Sequence, residues 1–154
     1  LGSPKRSALC KDTLEAMLKR GIVPIINEND TVAVEEIRFG DNDTLSARVA
    51  VLIGADLLIM LTDTDGFYDK DPRLLPDARL ITTIRDIDPE ILAMAQGSHN
   101  VDVGTGGMIT KVWAANMALQ HGIPTVIANG SKPEVLTLIL EGHLIGTLFV
   151  TKTD

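Results

Sequence analysis

Apolar residues recur along this chain in two rhythms, a helical spacing and a short unbroken run, and the two alternate. Leu9, Leu14, Met17 and Leu18 share one stripe of the segment Ser7 to Arg20, which Gly21 closes, so an amphipathic helix is expected there. Ile22 to Ile26 follows as a continuous apolar run with Pro24 near its start, the pattern of a buried strand. Thr31 to Phe39 alternates through Val32, Val34, Ile37 and Phe39 and predicts a short strand or hairpin arm. From Thr44 to Ala55 the residues are small and aliphatic nearly all round, as in a helix packed against a sheet.

The rhythm then repeats. Leu57 to Leu61 predicts a second buried strand, Ala78 to Ile84 a short edge strand, and Asp88 to Gln96 a helix with Asp88 as its cap and Pro89 in its first turn. Met108 to Gln120 reads as a helix stopped by Gly122, Pro124 to Ala128 as a third buried strand, Pro133 to Glu141 as a helix and Gly146 to Val150 as a last strand. Between them, Gly97 to Gly107 has no periodicity and is rich in glycine. Strands alternating with helices predict an α/β fold with a mainly parallel sheet.

Polar residues gather where these apolar runs end. Asn27, Glu28, Asn29 and Asp30 follow the first predicted strand, and Thr62, Asp63, Thr64, Asp65 and Gly66 follow the second. In open α/β sheets, ligands sit beyond the C-terminal ends of such strands. The stretch Phe39 to Ala47, FGDNDTLSA, adds a helix start: Gly40 suits a tight turn, and Asp41, Asn42 and Asp43 are residue types that cap free helix N–H groups. Asp63-Thr64-Asp65-Gly66 opens like a calcium loop, but the later ligands are missing and Pro72 interrupts it.

Composition narrows the chemistry. The chain has 154 residues, 45% hydrophobic and 23% charged, which suits one globular domain. Its single Cys10 cannot form an internal bridge, so a reducing compartment and a small buried hydrophobe are expected. A formal charge of −7 without a basic cluster argues against nucleic acid, and no apolar run reaches membrane-spanning length. With no export signal at Leu1, a cytoplasmic protein is expected. An anionic ligand would meet an opposing global field, so local lysines, helix N-termini or a divalent cation must attract it.

One segment meets that requirement. Val103 to Lys111, VGTGGMITK, sets glycines at a helix start and a lysine one turn in, an arrangement suited to phosphate. Neither G-x-x-x-x-G-K-[ST] nor G-x-G-x-x-G fits its spacing. His99, His121 and His143 lack partners at metal-ligand spacing, and Ser46 and Ser98 lack a nucleophile setting. Tyr68 and Trp113 are single aromatics, expected to pack rather than to stack on a ligand.

Taken in order, VPIINEND, FGDNDTLSA, IMLTDTDG, GTGGMITK and VIANGSKP resemble the glutamate 5-kinases of the amino acid kinase family over nearly the whole chain. The resemblance implies a three-layer α/β/α sandwich and transfer of the γ-phosphoryl group of ATP, with magnesium, to the side-chain carboxylate of L-glutamate, the first step of proline synthesis. It further implies that Asn27, Asp30 and Asn42 hold glutamate and that Asp43 orients the catalytic lysines. Thr62, Asp63, Thr105 and Met108 would contact the nucleotide, Gly106 and Gly107 would sit against its phosphates, and Lys111, nucleotide-binding as well, would stabilise the transferring phosphoryl group.

Members of that family open with a strand, a glycine-rich turn and a lysine that grip the β- and γ-phosphates, and a serine-bearing segment follows. This sequence has no counterpart, nor one for the RNA-modification-type domain that many members append. Residues 1–154 are therefore expected to be a partial kinase domain, the acceptor-binding loops and nucleotide-binding half, forming little glutamyl phosphate alone. Homo-oligomerisation is expected too, since an incomplete sheet exposes apolar surface. Two other readings stay open: the same fold with a different acceptor, and a non-catalytic nucleotide-binding or oligomerisation module.

Overall fold

The computed structural model describes residues 4–27, 42–97 and 107–151. Helix α1 spans Pro4–Lys19 and packs against α2, Asn42–Ile53. Strand β1 is Leu58–Thr62, β2 is Thr83–Ile84, and α3 is Pro89–Gln96. Helix α4, Met108–Leu119, leads to β3, Thr125–Asn129; α5, Val135–Leu140, and β4, Thr147–Phe149, complete the order.

The sheet runs β1-β3-β4-β2. β1 and β3 are parallel, with Leu58 opposite Thr125 and Thr62 opposite Asn129, and β2 and β4 are parallel, with Thr83 opposite Leu148. The central pair β3 and β4 is antiparallel, Ile127 facing Thr147. Two of the three pairings are thus parallel, and β4 turns the sheet into a mixed one.

Strand alternation divides the interior into two layers. Leu58, Met60, Ile127 and Phe149 face one side, where they meet Ala47 and Ala50 of α2, Ala95 of α3 and Val112, Ala114, Ala115 and Ala118 of α4. Val126 and Ala128 face the other, where Val135 and Ile139 of α5 cover them along with Leu57, Ile59 and Leu148. Helices on both faces of one sheet make the three-layer α/β/α sandwich. Alanine dominates the buried positions of α2 and α4, and such small side chains let the two helices approach closely.

The sheet edge near β2 is pinned by a hydroxyl. Thr147 Oγ1 accepts from the Phe67 backbone N–H at 2.8 Å and donates to the Ile81 carbonyl at 2.6 Å. Phe67 and Phe149, both fully buried, meet edge to face with centroids 6.4 Å apart. Before Thr147, Gly146 holds φ at +79°, and a Cβ there would overlap the carbonyl of Ile127.

Several sequence expectations change. Ile22 to Ile26 is not a strand: it carries no regular structure, and Val23 and Ile25 are 82% and 98% exposed. An apolar run records a preference for burial, but a strand needs a neighbour's hydrogen bonds, and none among the described residues pairs with it. Trp113 is 55% exposed and does not serve the core. The predicted edge strand shrinks to Thr83–Ile84, with an isolated bridge between Tyr68 and Leu80 before it. The hairpin arm at 31–39 lies outside the described residues. Among the described residues, no helix is long and apolar enough to cross a membrane.

Candidate active site

Short connections set the direction of both helices that flank the site. α2 ends at Ile53 and reaches β1 at Leu58, so it runs back along the strand, and its first residues lie toward the end of β1 at Thr62. Twelve helical residues rise about 18 Å and five strand residues about 17 Å, so the two ends nearly match. α4 turns at Gly122 into β3 and, by the same reasoning, starts near Asn129. Two helix N-termini and two strand C-termini therefore share one side of the sheet.

α2 begins at Asn42, which places Asn42 and Asp43 in its first turn; the capping position Asp41 lies outside the described residues. Asp43 reaches across to α4. Its carboxylate accepts from Lys111 Nζ at 3.0 and 3.2 Å and from Thr110 Oγ1 at 2.8 Å. The Lys111 and Asp43 side chains are only 12% and 14% exposed, so solvent screens the pair weakly. The Asp43 carboxylate also benefits from the positive end of the α2 dipole.

Gly107 occupies the cap of α4 with no side chain over the helix start. A Cβ there would meet nothing within 4 Å, so packing does not demand glycine. Met108 packs its side chain against the core, leaving its backbone N–H as what it can offer an anion. Thr105 and Gly106 lie outside the described residues.

A second cluster sits where β1 and β3 end. Thr62 Oγ1 donates to Asp63 Oδ1 at 3.2 Å, and the Gly130 N–H donates to the Thr62 carbonyl at 2.9 Å. Asn129 Nδ2 donates to Asp65 Oδ1 at 3.0 Å, while Asn129 Oδ1 accepts from the Ser131 N–H at 2.9 Å. Lys132 Nζ lies 3.0 Å from Asp65 Oδ2. The Asn129 hydrogen bond, then that of Lys132, hold the Asp65 carboxyl below the usual carboxylate range.

Of the substrate residues expected from sequence, Asn42 is exposed beside Asp43, and Asn27 is exposed in the irregular segment after α1. Asp30 lies outside the described residues. Sequence reasoning missed Thr110 and Asn129. A threonine three residues into a helix that starts at glycine was the available signal for the first; a polar residue ending a buried strand was the signal for the second.

A model of the amino acid kinase family matches residues 2–129. The chain belongs to the amino acid kinase family. Within it, glutamate 5-kinase of Clostridium acetobutylicum is 52% identical over 152 residues, 99% of this chain and 57% of that protein. The Trichlorobacter lovleyi glutamate 5-kinase is 52% identical over 154 residues, 100% of this chain and 41% of that protein. The chain thus spans about half the length of the curated relatives it matches. Among solved structures, the UMP kinase of Bacillus anthracis superposes with a TM-score of 0.68 at 16% identity, covering 93% of this chain and 52% of that one. The isopentenyl phosphate kinase of T. acidophilum gives 0.63 at 24%, covering 90% and 52%. At these identities the two structures share the amino acid kinase fold with this chain.

Proposed function

We propose that the protein carrying this chain transfers the γ-phosphoryl group of ATP to the side-chain carboxylate of L-glutamate. The observation that carries the reading is the Asp43–Lys111 pair, a shielded ammonium held by a carboxylate at the starts of two helices. Phosphoryl transfer needs positioning and positive charge more than covalent chemistry, and that arrangement supplies both. The 52% identity to glutamate 5-kinases supports glutamate as the acceptor.

In this reading Lys111 stabilises charge on the transferring phosphoryl group and Asp43 aims it. Backbone N–H groups from Thr105 to Met108 lie against the phosphates, Thr62 and Asp63 contact the nucleotide, and Asn27, Asp30 and Asn42 hold glutamate. Residues 1–154 form the part of the domain that carries the acceptor loops and the nucleotide half, in a cytoplasmic homo-oligomer. Exposed Val23 and Ile25 support burial against further protein. Magnesium would supply charge neutralisation between phosphates. Among the described residues no group of three acidic, His or Cys side chains is placed to hold a metal.

The test is capture of glutamyl phosphate as its hydroxamate. The whole protein should form it with ATP and glutamate and not with a carbamate or a phosphate monoester, while the 154-residue chain should form little. A whole protein that phosphorylates another acceptor and leaves glutamate untouched would sink the reading.

A further inference from the structure

Thr62 and Asn129 end β1 and β3 as register partners, and strand alternation turns both toward the face that α2 and α4 cover, where Met60 and Ile127 pack two residues earlier. Beyond them β1 runs into a short loop, Asp63 to Asp65, whose two ends are fixed. At its start the Gly130 N–H adds a rung to the ladder by donating to the Thr62 carbonyl at 2.9 Å. At its finish Gly66 and Phe67 are buried against Thr147, whose Oγ1 accepts from the Phe67 N–H and would lie 2.7 Å from a Cβ on Gly66.

The middle of the loop is held from the other strand. Asn129 Nδ2 donates to Asp65 Oδ1 at 3.0 Å and lies 3.5 Å from the Asp63 carbonyl oxygen. Its Oδ1 accepts from the Ser131 N–H at 2.9 Å, an Asx-turn that folds back the chain after β3 and brings Lys132 Nζ to 3.0 Å from Asp65 Oδ2. Lys132 is half exposed on a long stem, so water screens its pairing, and the short amide is the firmer contact. Gly130 permits the approach, since a Cβ there would press on Leu61 Cβ at 3.1 Å. The Asp63 carboxylate, by contrast, is exposed, with Oδ1 accepting from the Thr62 hydroxyl at 3.2 Å. Its direction follows the loop backbone, and that backbone follows Asn129.

We propose that Asn129 is a positioning residue for nucleotide binding: by clasping Asp65 it holds the loop after β1 in the shape that presents Thr62 and Asp63 to the nucleotide. Asn129 itself stays behind the loop and acts through Asp65. The inference rests on the kinase reading and on the nucleotide contacts assigned there to Thr62 and Asp63.

The test compares Asn129→Ala, Asn129→Asp and the exchanged pair Asn129→Asp with Asp65→Asn, all in the whole protein. Asn129→Asp keeps an oxygen for the Ser131 N–H but sets a carboxylate against Asp65, so it removes the clasp and leaves the turn. Each single variant should raise the ATP KM by about 10-fold, the loss of one hydrogen bond to a charged group, and raise by as much the ATP Kd measured calorimetrically without glutamate. Both kcat and the glutamate KM should stay within about threefold, because the loop serves the nucleotide alone. The exchanged pair restores the hydrogen bond in the reverse direction and should bring ATP binding back to within about threefold of the unsubstituted protein. Unchanged ATP binding in the single variants, or an exchanged pair as weak as they are, overturns the role of Asn129. The Kd needs no acceptor, so it tests Asn129 whichever acceptor the protein uses. An unsubstituted protein that neither binds ATP nor makes glutamyl phosphate overturns the kinase reading itself, which separates the two failures.

Discussion

Asp43 and Lys111 are 68 residues apart in the chain, yet their carboxylate and ammonium meet at 3.0 Å across the seam between α2 and α4. The pair forms because both helices run back from the same side of the sheet, each starting where its following strand ends.

Asp43→Ala should therefore damage stability and activity together. It leaves a lysine with 12% exposure facing a vacated partner, a change that costs about 3 kcal/mol for a pair this shielded. A denaturant midpoint measures that loss. In the whole protein, kcat should fall by about 100-fold or more, as when an electrostatic support is removed from a reacting centre.

Ala47→Leu tests the seam itself. Ala47 is fully buried where α2 meets its neighbours, so a larger side chain must push the helix outward. Overpacking of this kind costs about 1–3 kcal/mol. Because Asp43 lies one turn earlier on the same helix, kcat should drop even though no ligand-facing residue has changed. Full activity at reduced stability would show that helix spacing does not control the pair.

Asn129→Ala should alter the acid side of the pH profile. Asp65 titrates below its ordinary value of 3.8, chiefly through Asn129, so its unfolded state binds a proton more readily than its folded one. The stabilisation it contributes is present above that value and is lost as pH falls through the lower, folded one. Removing the amide should move the Asp65 titration upward toward 3.8, followed by carboxyl NMR. An unmoved titration would assign the effect to Lys132 alone.

Gly146→Ala should be severe for a surface-distant reason. The position combines a φ of +79° with direct approach to the Ile127 carbonyl, so the added methyl group meets backbone that belongs to the central strand pair. A loss of about 2–4 kcal/mol is expected from strain plus displaced pairing, read from chemical denaturation. Gly142→Ala is the control: its φ of +86° carries the strain alone, with nothing within 4 Å of the added carbon, and its cost should be smaller.

Much of this was legible before any coordinates. Leu58 and Met60 in one apolar run, and Val126 to Ala128 in another, announced the parallel pair β1 and β3, and Asp88 with Pro89 announced α3, whose cap accepts from the Ile91 N–H at 2.9 Å. Lys111 stood out because glycines preceded it at a helix start. The rest depended on partners. Ile22 to Ile26 has the composition of a strand, but pairing belongs to two segments, and composition describes one. The antiparallel placement of β4 against β3 is likewise absent from local pattern. Thr110 advertised a hydroxyl and Asn129 an amide, while what each would bond was decided by residues 67 and 64 positions away.

The buried alanines of α2 and α4 also give the molecule its own spectroscopic gauge. Ala47, Ala50, Ala114, Ala115 and Ala118 each carry a single buried methyl group within one apolar cluster, and none of the five bears a polar atom on its side chain. Isotope-labelled alanine would light up that cluster without altering one atom of the Asp43–Lys111 pair. Their resonances would follow the separation of the two helices during a nucleotide titration, so motion at the site can be watched from behind it.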